Sequence, residues 1–231
     1  MRFLIENIPC LSLKGDTDMA VLFVHGKMGC KEEAVPFYEN MSGRVSVVAL
    51  DLPAHGERKN RGETLTPWAA VPEILAVYEW MKTRFPRISV RANSVGAYFS
   101  MPALEKEPIE KALFVSPVTD MQKLIENMMA WATVTKDELR EKREIPTAFG
   151  ETLSWDYYAW VKAHPIVWNA PTEVLYGSND NLISQEMISA FMQGKNRRLT
   201  VMEGGEHWFH TEEQLAFMKA WERNVLSESQ K

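Results

Sequence analysis

At 231 residues the chain is long enough for one substantial hydrophobic core and short for two. Hydrophobic residues make up 45% and charged residues 25%, the balance of a globular domain rather than of a disordered or fibrous chain. The net charge of −5, without any Lys/Arg-rich run, gives no support for nucleic acid as a partner.

Two cysteines, Cys10 and Cys30, are too few for a disulfide framework and suit a reducing compartment. The N-terminal stretch MRFLIENIPCLSLKGD lacks an apolar run of signal-peptide length. No window approaches the roughly 20 apolar residues needed to cross a bilayer, so stable membrane insertion is not expected. The expected location is the cytoplasm.

In chain order, residues 2–13 read as one or two antiparallel edge strands. Short apolar, β-branched runs follow at residues 20–24, 45–50, 88–92, 111–115, 171–176 and 198–202. Such near-continuous runs suit the inner strands of a parallel sheet covered on both faces. Helices are predicted over residues 32–41, 67–83, 184–193 and 211–225, with lengths that serve as crossovers between parallel strands. The sum is one domain over residues 1–231: a three-layer α/β/α fold with a mostly parallel sheet. Residues 119–165 exceed what a simple strand-to-helix connection needs and read as a small helical insertion over the C-terminal edge of the sheet. An ordinary crossover helix with surface packing is the alternative. Its apolar residues Met121, Leu124, Ile125, Met128, Met129 and Trp131, with Trp155, Tyr158 and Trp160, either line a pocket or close the insertion's own core.

The sharpest local signal is ISVRANSVGAY, residues 88–98. A strand ends, Ser94 follows with Ala92 and Gly96 two positions to either side, and a helix-compatible segment begins. A serine raised above a sheet on a tight strand-to-helix turn needs small residues at both positions. The Val95 backbone NH, at the start of that helix, then points toward a developing oxyanion.

With these residues in view the chain resembles the α/β-hydrolase family, in its serine esterase and lipase branch. Supporting segments are Phe23-Val24-His25-Gly26-Lys27, Asp51-Leu52-Pro53-Ala54-His55-Gly56, Gly177-Ser178-Asn179-Asp180 and Gly204-Gly205-Glu206-His207. The usual Gly-x-Ser-x-Gly turn departs here by one methyl group, at Ala92. The resemblance implies Ser94 as nucleophile, His207 as base and Asp180 as the acid that orients it, in the chain order this fold uses. Asp120, following the preceding strand, is the competing acid; otherwise it caps the helix that starts at Met121. A plain loop aspartate in an Asx turn is the structural reading of Asp180. The resemblance also assigns the Lys27 NH as the second oxyanion donor, with His25 fixing that loop. His55 is expected to be structural, and His210 to be a capping or surface residue. Cys30, near a helix start where a thiol pKa can fall, is read as packing or pocket lining, and Cys10 as structural.

The five histidines (His25, His55, His164, His207 and His210) lack the spacing of a helical zinc site. Gly26 and Gly29 make no dinucleotide fingerprint, and hydrolysis needs no cofactor. The expected activity is therefore cleavage of a small or medium carboxylic ester through an acyl-enzyme, with amide, thioester or carbon–carbon bonds as alternatives. A noncatalytic binding protein on the same scaffold is the alternative of another class.

Overall fold

Period-two alternation along the inner strands sorts their side chains onto two apolar faces. A computed structural model describes residues 1–227; residues 228–231, the end of the domain expected over 1–231, lie outside the described residues. The strands are β1 Arg2–Ile5, β2 Ile8–Leu13, β3 Met19–Val24, β4 Ser46–Leu50, β5 Arg87–Asn93, β6 Ala112–Val115, β7 Glu144–Pro146, β8 Thr152–Ser154, β9 Thr172–Gly177 and β10 Arg197–Met202. The helices are α1 Ala34–Asn40, α2 Pro67–Lys82, α3 Val95–Ala103, α4 Met121–Trp131, α5 Lys136–Lys142, α6 Trp155–Ala163, α7 Gln185–Phe191 and α8 Glu212–Ser227. Eight strands form one sheet in the order β1-β2-β4-β3-β5-β6-β9-β10. Pairing is parallel from β4 through β10 and antiparallel where β2 meets β1 and β4.

On β3, Ala20, Leu22 and Val24 face one core, and Met19, Val21 and Phe23 face the other. The first core is covered by α2, α3, α4 and α7, the second by α1 and α8. This is the expected three-layer α/β/α arrangement. The edge hairpin turns at Glu6 and Asn7, both at positive φ, 48° and 71°. A two-residue turn of that handedness matches the twist of the strands it joins, although glutamate is an unusual residue for it.

Residues 119–165 contain helices as expected, but also a feature that the helical reading did not include. β7 and β8 form a separate antiparallel hairpin in which Ile145 pairs with Leu153. Pro146 cannot sustain a helix interior, and the loop closes through Thr147, whose NH and hydroxyl both donate to the Glu151 carbonyl at 2.8 and 2.7 Å. Met121, Ile125, Met129, Leu153 and Tyr158 are buried together and join the main core. Glu126 ties this segment together internally, accepting from Lys136 at 2.8 Å, Tyr158 at 2.7 Å and Gln122 at 3.1 Å. The Lys136 contact leads in pulling its carboxyl down to about 2.

Two pairs of opposite charges are buried against the sheet. Arg91 of β5 points into the α1–α8 layer, 1% exposed, and its Nε donates to Glu222 of α8 at 2.8 Å. Asn40 of α1 donates to the other Glu222 oxygen at 3.0 Å. Beyond β4, Asp51 accepts from the Lys31 NH at 2.9 Å, the Lys31 ammonium at 2.7 Å and the Glu57 NH at 3.0 Å. This cluster shapes the Asp51-to-Gly56 turn. His55 is held within it, its Nδ1 on the Pro53 carbonyl at 2.7 Å.

His25 joins that turn to the end of β3. Its Nδ1–H donates to the Gly26 carbonyl at 2.7 Å, and its Nε2 accepts from the Leu52 NH at 3.1 Å. The second bond requires an unprotonated Nε2 and so a neutral ring, and burial lowers the pKa from 6.5 to about 4.

Two consequences can be measured. A methyl group at Gly96 would sit 2.3 Å from the His25 carbonyl oxygen, whereas one at Gly26 would meet nothing nearer than 3.5 Å. Gly96→Ala should therefore destabilise the protein to urea by about 2–4 kcal/mol, and Gly26→Ala by less than about 1 kcal/mol. The unfolded chain binds a proton at His25 below pH 6.5 that the folded chain refuses until about pH 4. His25 therefore contributes stability above pH 6.5 that is lost as the pH falls toward 4, roughly 3 kcal/mol in all. Urea titrations across that window should show the slope, and His25→Asn should flatten it.

Candidate functional site

The site is built where the parallel strands end, because there the chain leaves the sheet and each loop can carry a side chain above it. Ser94 sits between β5 and α3 at φ 48° and ψ −118°, a backbone conformation that L-residues rarely adopt. Two neighbours hold it there. The Ser94 NH donates to the Val115 carbonyl at 3.0 Å, and its own carbonyl accepts from the Val118 NH at 3.2 Å. The lack of a side chain at Gly96 lets α3 start directly against the backbone at the end of β3.

The Ser94 hydroxyl lies 2.9 Å from His207 Nε2, and His207 Nδ1 lies 2.7 Å from Asp180 Oδ2. Since a carboxylate only accepts, Nδ1 carries the proton and Nε2 is left to accept from the serine hydroxyl. Asp180 has a fully buried side chain, and its other oxygen accepts from the Leu182 and Ile183 NH groups, both at 2.9 Å. The Asx-type turn and the histidine contact therefore coexist, one on each oxygen.

The loops that carry Asp180 and His207 are pressed together by two glycines. A side chain at Gly177 would fall 2.4 Å from the Gly205 backbone, and the Asn179 NH donates to the Gly205 carbonyl at 2.8 Å. Asp120 stands apart from this chain of contacts. Its carboxylate accepts from the Lys123 NH at 2.8 Å and caps α4.

Gly26 to Gly29 form a turn closed by a 3.2 Å bond from the Gly29 NH to the Gly26 carbonyl, with Lys27 and Met28 at its centre. Met28 has φ 66° and is 83% exposed. The turn lies beside the serine, since a Gly26 methyl would stand 3.5 Å from Ser94 Cβ. The Val95 NH belongs to the first turn of α3, whose donors have no intrahelical acceptor. The Lys27 ammonium forms an ion pair with Glu151 in the β7–β8 loop, so residues 119–165 reach across to the Ser94 side. No signal in the sequence pairs these two residues, which lie far apart along the chain.

The remaining candidates fall outside this constellation. His210 stacks on Trp208 and pairs with Glu206, and His164 stacks on Trp160. Both cysteines are free. The position of Cys30 near a helix start allowed a lowered pKa, but its thiol is pushed up, first by burial and further by Glu32 and Glu33. Burial likewise pushes Cys10 up to about 12. The broad groove of about 640 Å³ between β1 and α2, lined by Leu4, Pro72 and Trp80 among others, shares no residue with the Ser94 site. No described helix is long and apolar enough to cross a membrane.

No family model matches the sequence, and no curated protein matches it. Solved structures do. Est1E from Butyrivibrio proteoclasticus, in a structure with ferulic acid bound, superposes with a TM-score of 0.79 at 19% identity, covering 99% of this chain and 98% of that one. The mouse alpha/beta hydrolase domain-containing protein 10 gives 0.80 at 14% identity, covering 96% and 94%. An esterase from Pyrococcus furiosus gives 0.68 at 18% identity, covering 98% and 88%. The superpositions run nearly end to end, and with its eight-stranded, mostly parallel sheet the chain has the α/β-hydrolase fold.

Proposed function

We propose that the protein is a serine hydrolase that cleaves a small or medium carboxylic ester through an acyl-enzyme. The observation that carries the reading is the unbroken relay from the Ser94 hydroxyl through His207 to the buried Asp180 carboxylate. Both spacings fall within the 2.6–3.2 Å reach of a working nucleophile–base–acid set.

In this mechanism the Ser94 oxygen attacks the ester carbonyl as its proton passes to His207 Nε2. The Asp180 carboxylate stabilises the imidazolium that forms. The Lys27 and Val95 NH groups hold the negative oxygen of the tetrahedral intermediate, aided by the positive end of α3. Collapse expels the alcohol, which takes the proton from His207 Nε2 and leaves the acyl group on Ser94. Water then attacks the acyl-enzyme with His207 as base, releasing the acid and restoring the serine.

The preference for an ester of modest size draws on the surroundings. Met28 adjoins Lys27, and Trp208, 74% exposed, follows His207, so exposed apolar side chains are next in the chain to two of the site residues. We read residues 119–165 as a cap whose β7–β8 loop reaches this mouth through Glu151. Est1E, with ferulic acid bound, illustrates an aromatic acid held on this fold. The two free cysteines fit a cytoplasmic setting.

A fluorophosphonate should label the protein once, on Ser94, and Ser94→Ala should abolish labelling without loss of fold. Label on Cys30 or on another serine, or no label on folded protein, overturns the mechanism; the last result favours a noncatalytic binding role. Comparison of short acyl aryl esters with matched amides and thioesters then fixes the bond cleaved.

The acid is tested separately. Asp180→Asn should lower kcat/KM by about two decades or more, whereas Asp120→Asn, a helix cap, should lose less than about one decade. Steady-state kinetics with matched melting curves separates the two, and the reverse pattern would move the acid to Asp120.

A further inference from the structure

Four of the six tyrosines satisfy their hydroxyls on protein acceptors: Tyr38 on the Lys14 carbonyl, Tyr78 on Pro108, Tyr176 on Ile183, and Tyr158 on the Glu126 carboxylate. Tyr98 and Tyr157 do not. Tyr98 is the sharper case, since it is 1% exposed and its hydroxyl has no partner among the described residues. A buried hydroxyl left unpaired is costly, and phenylalanine would fill nearly the same space without that penalty.

The two phenols share a place. Tyr98 lies one helical turn beyond Ser94, and helical side chains lean back toward the N-terminus, over the turn that bears the serine. Its hydroxyl lies in the field of Asp120, at the root of the insertion. Tyr157, on α6 at the far end of the insertion, lies in the fields of Tyr98 and Glu151, and burial pushes both phenols well up. Glu151 is ion-paired to Lys27 beside Ser94, and Trp68 packs edge-on to the Tyr157 ring at 6.4 Å. A third unpaired hydroxyl, that of Ser116, is buried immediately after Val115, whose carbonyl holds the Ser94 NH. Tyr98 thus follows the serine by one turn of α3, with its NH on the Ser94 carbonyl at 3.4 Å, and Ser116 follows the residue whose carbonyl holds the Ser94 NH.

We propose that the Tyr98 and Tyr157 hydroxyls form the polar end of the acyl pocket of Ser94 and select an acyl group bearing a hydrogen-bonding oxygen over a plain hydrocarbon chain. This rests on the serine-hydrolase reading above. A hydrocarbon acyl group would bury the phenols unpaired, whereas an ether, hydroxyl or carbonyl oxygen at the right distance would satisfy them. Sites built around such groups discriminate against analogues that lack the partner far more strongly than apolar pockets discriminate by size. Ser116 is placed to assist, and the tyrosines determine the preference.

The test uses p-nitrophenyl esters of straight-chain acids and of isosteres in which one methylene is replaced by an ether oxygen, moved stepwise along the chain. The wild-type enzyme should prefer one oxygen position over its hydrocarbon isostere by about tenfold or more in kcat/KM. Tyr98→Phe should bring that ratio below about threefold, the loss falling on the oxygen-bearing ester, whose hydrogen-bond partner has gone. Tyr157→Phe should narrow the ratio in the same direction. Fluorophosphonate labelling of Ser94 and melting curves accompany every variant. Wild-type protein that labels normally but shows no positional preference overturns the proposal alone, as does a Tyr98→Phe variant that slows both series equally. Folded wild-type protein that fails to label overturns the hydrolase reading on which it stands.

Discussion

The structure turns on the backbone of one residue. Ser94 holds φ 48° and ψ −118°, a conformation that costs on the order of 1–3 kcal/mol and persists only where the surroundings over-determine it. Those surroundings are identifiable. β6 accepts the Ser94 NH, the Val118 NH returns to its carbonyl, and α3 is seated against β3 through the missing side chain of Gly96. The loop after β3 then has to lie beside the serine, and neutral His25 fixes its start to the turn after β4. A serine in relaxed backbone would lower its hydroxyl toward the sheet and lose its line to His207.

Asp180 and His207 are placed by backbone economy of another kind. Gly177 and Gly205 allow two loops to touch at the main chain, and this approach, rather than any long side chain, brings Asp180 to His207. Asp180 uses one oxygen to order its own loop and the other to orient the imidazole. The carboxylate cannot rotate to serve one partner without releasing the other. By contrast the Lys27–Glu151 pair is partly exposed on both sides. Pairs of that kind contribute little to stability, so residues 119–165 are held mainly by their buried apolar side chains and by Glu126.

Much of this was legible from residue order. Each inner strand falls within a residue or so of its apolar run, and Ser94, Asp180 and His207 meet as their positions after successive strands imply. The period-two and helical repeats report burial by a sheet or a helix, and burial at the centre of this fold is nearly complete. Legibility failed where contacts are distant or turn chemistry is atypical. The β7–β8 hairpin has three-residue strands, too short to show a period, and Glu6 gives no warning of a positive-φ turn. Helix position alone would lower the Cys30 thiol pKa, while burial and two nearby glutamates, which residue order does not reveal, act the other way. The unpaired hydroxyls of Tyr98 and Tyr157 are invisible in sequence, since a partnered and an orphaned tyrosine are the same letter.

Arg91 carries a consequence for how the chain reaches its final form. It sits in the middle strand of the sheet, and its carboxylate partner, Glu222, lies on the last helix. During vectorial synthesis the central strands emerge long before that partner exists. A guanidinium buried without its counter-charge is strongly unfavourable, so the sheet cannot close over β5 until α8 arrives. Contacts spanning so much sequence also slow folding and leave apolar surface exposed in the interval. The buried pair thereby makes completion of the core a late event and ties the centre of the sheet to the far end of the described chain.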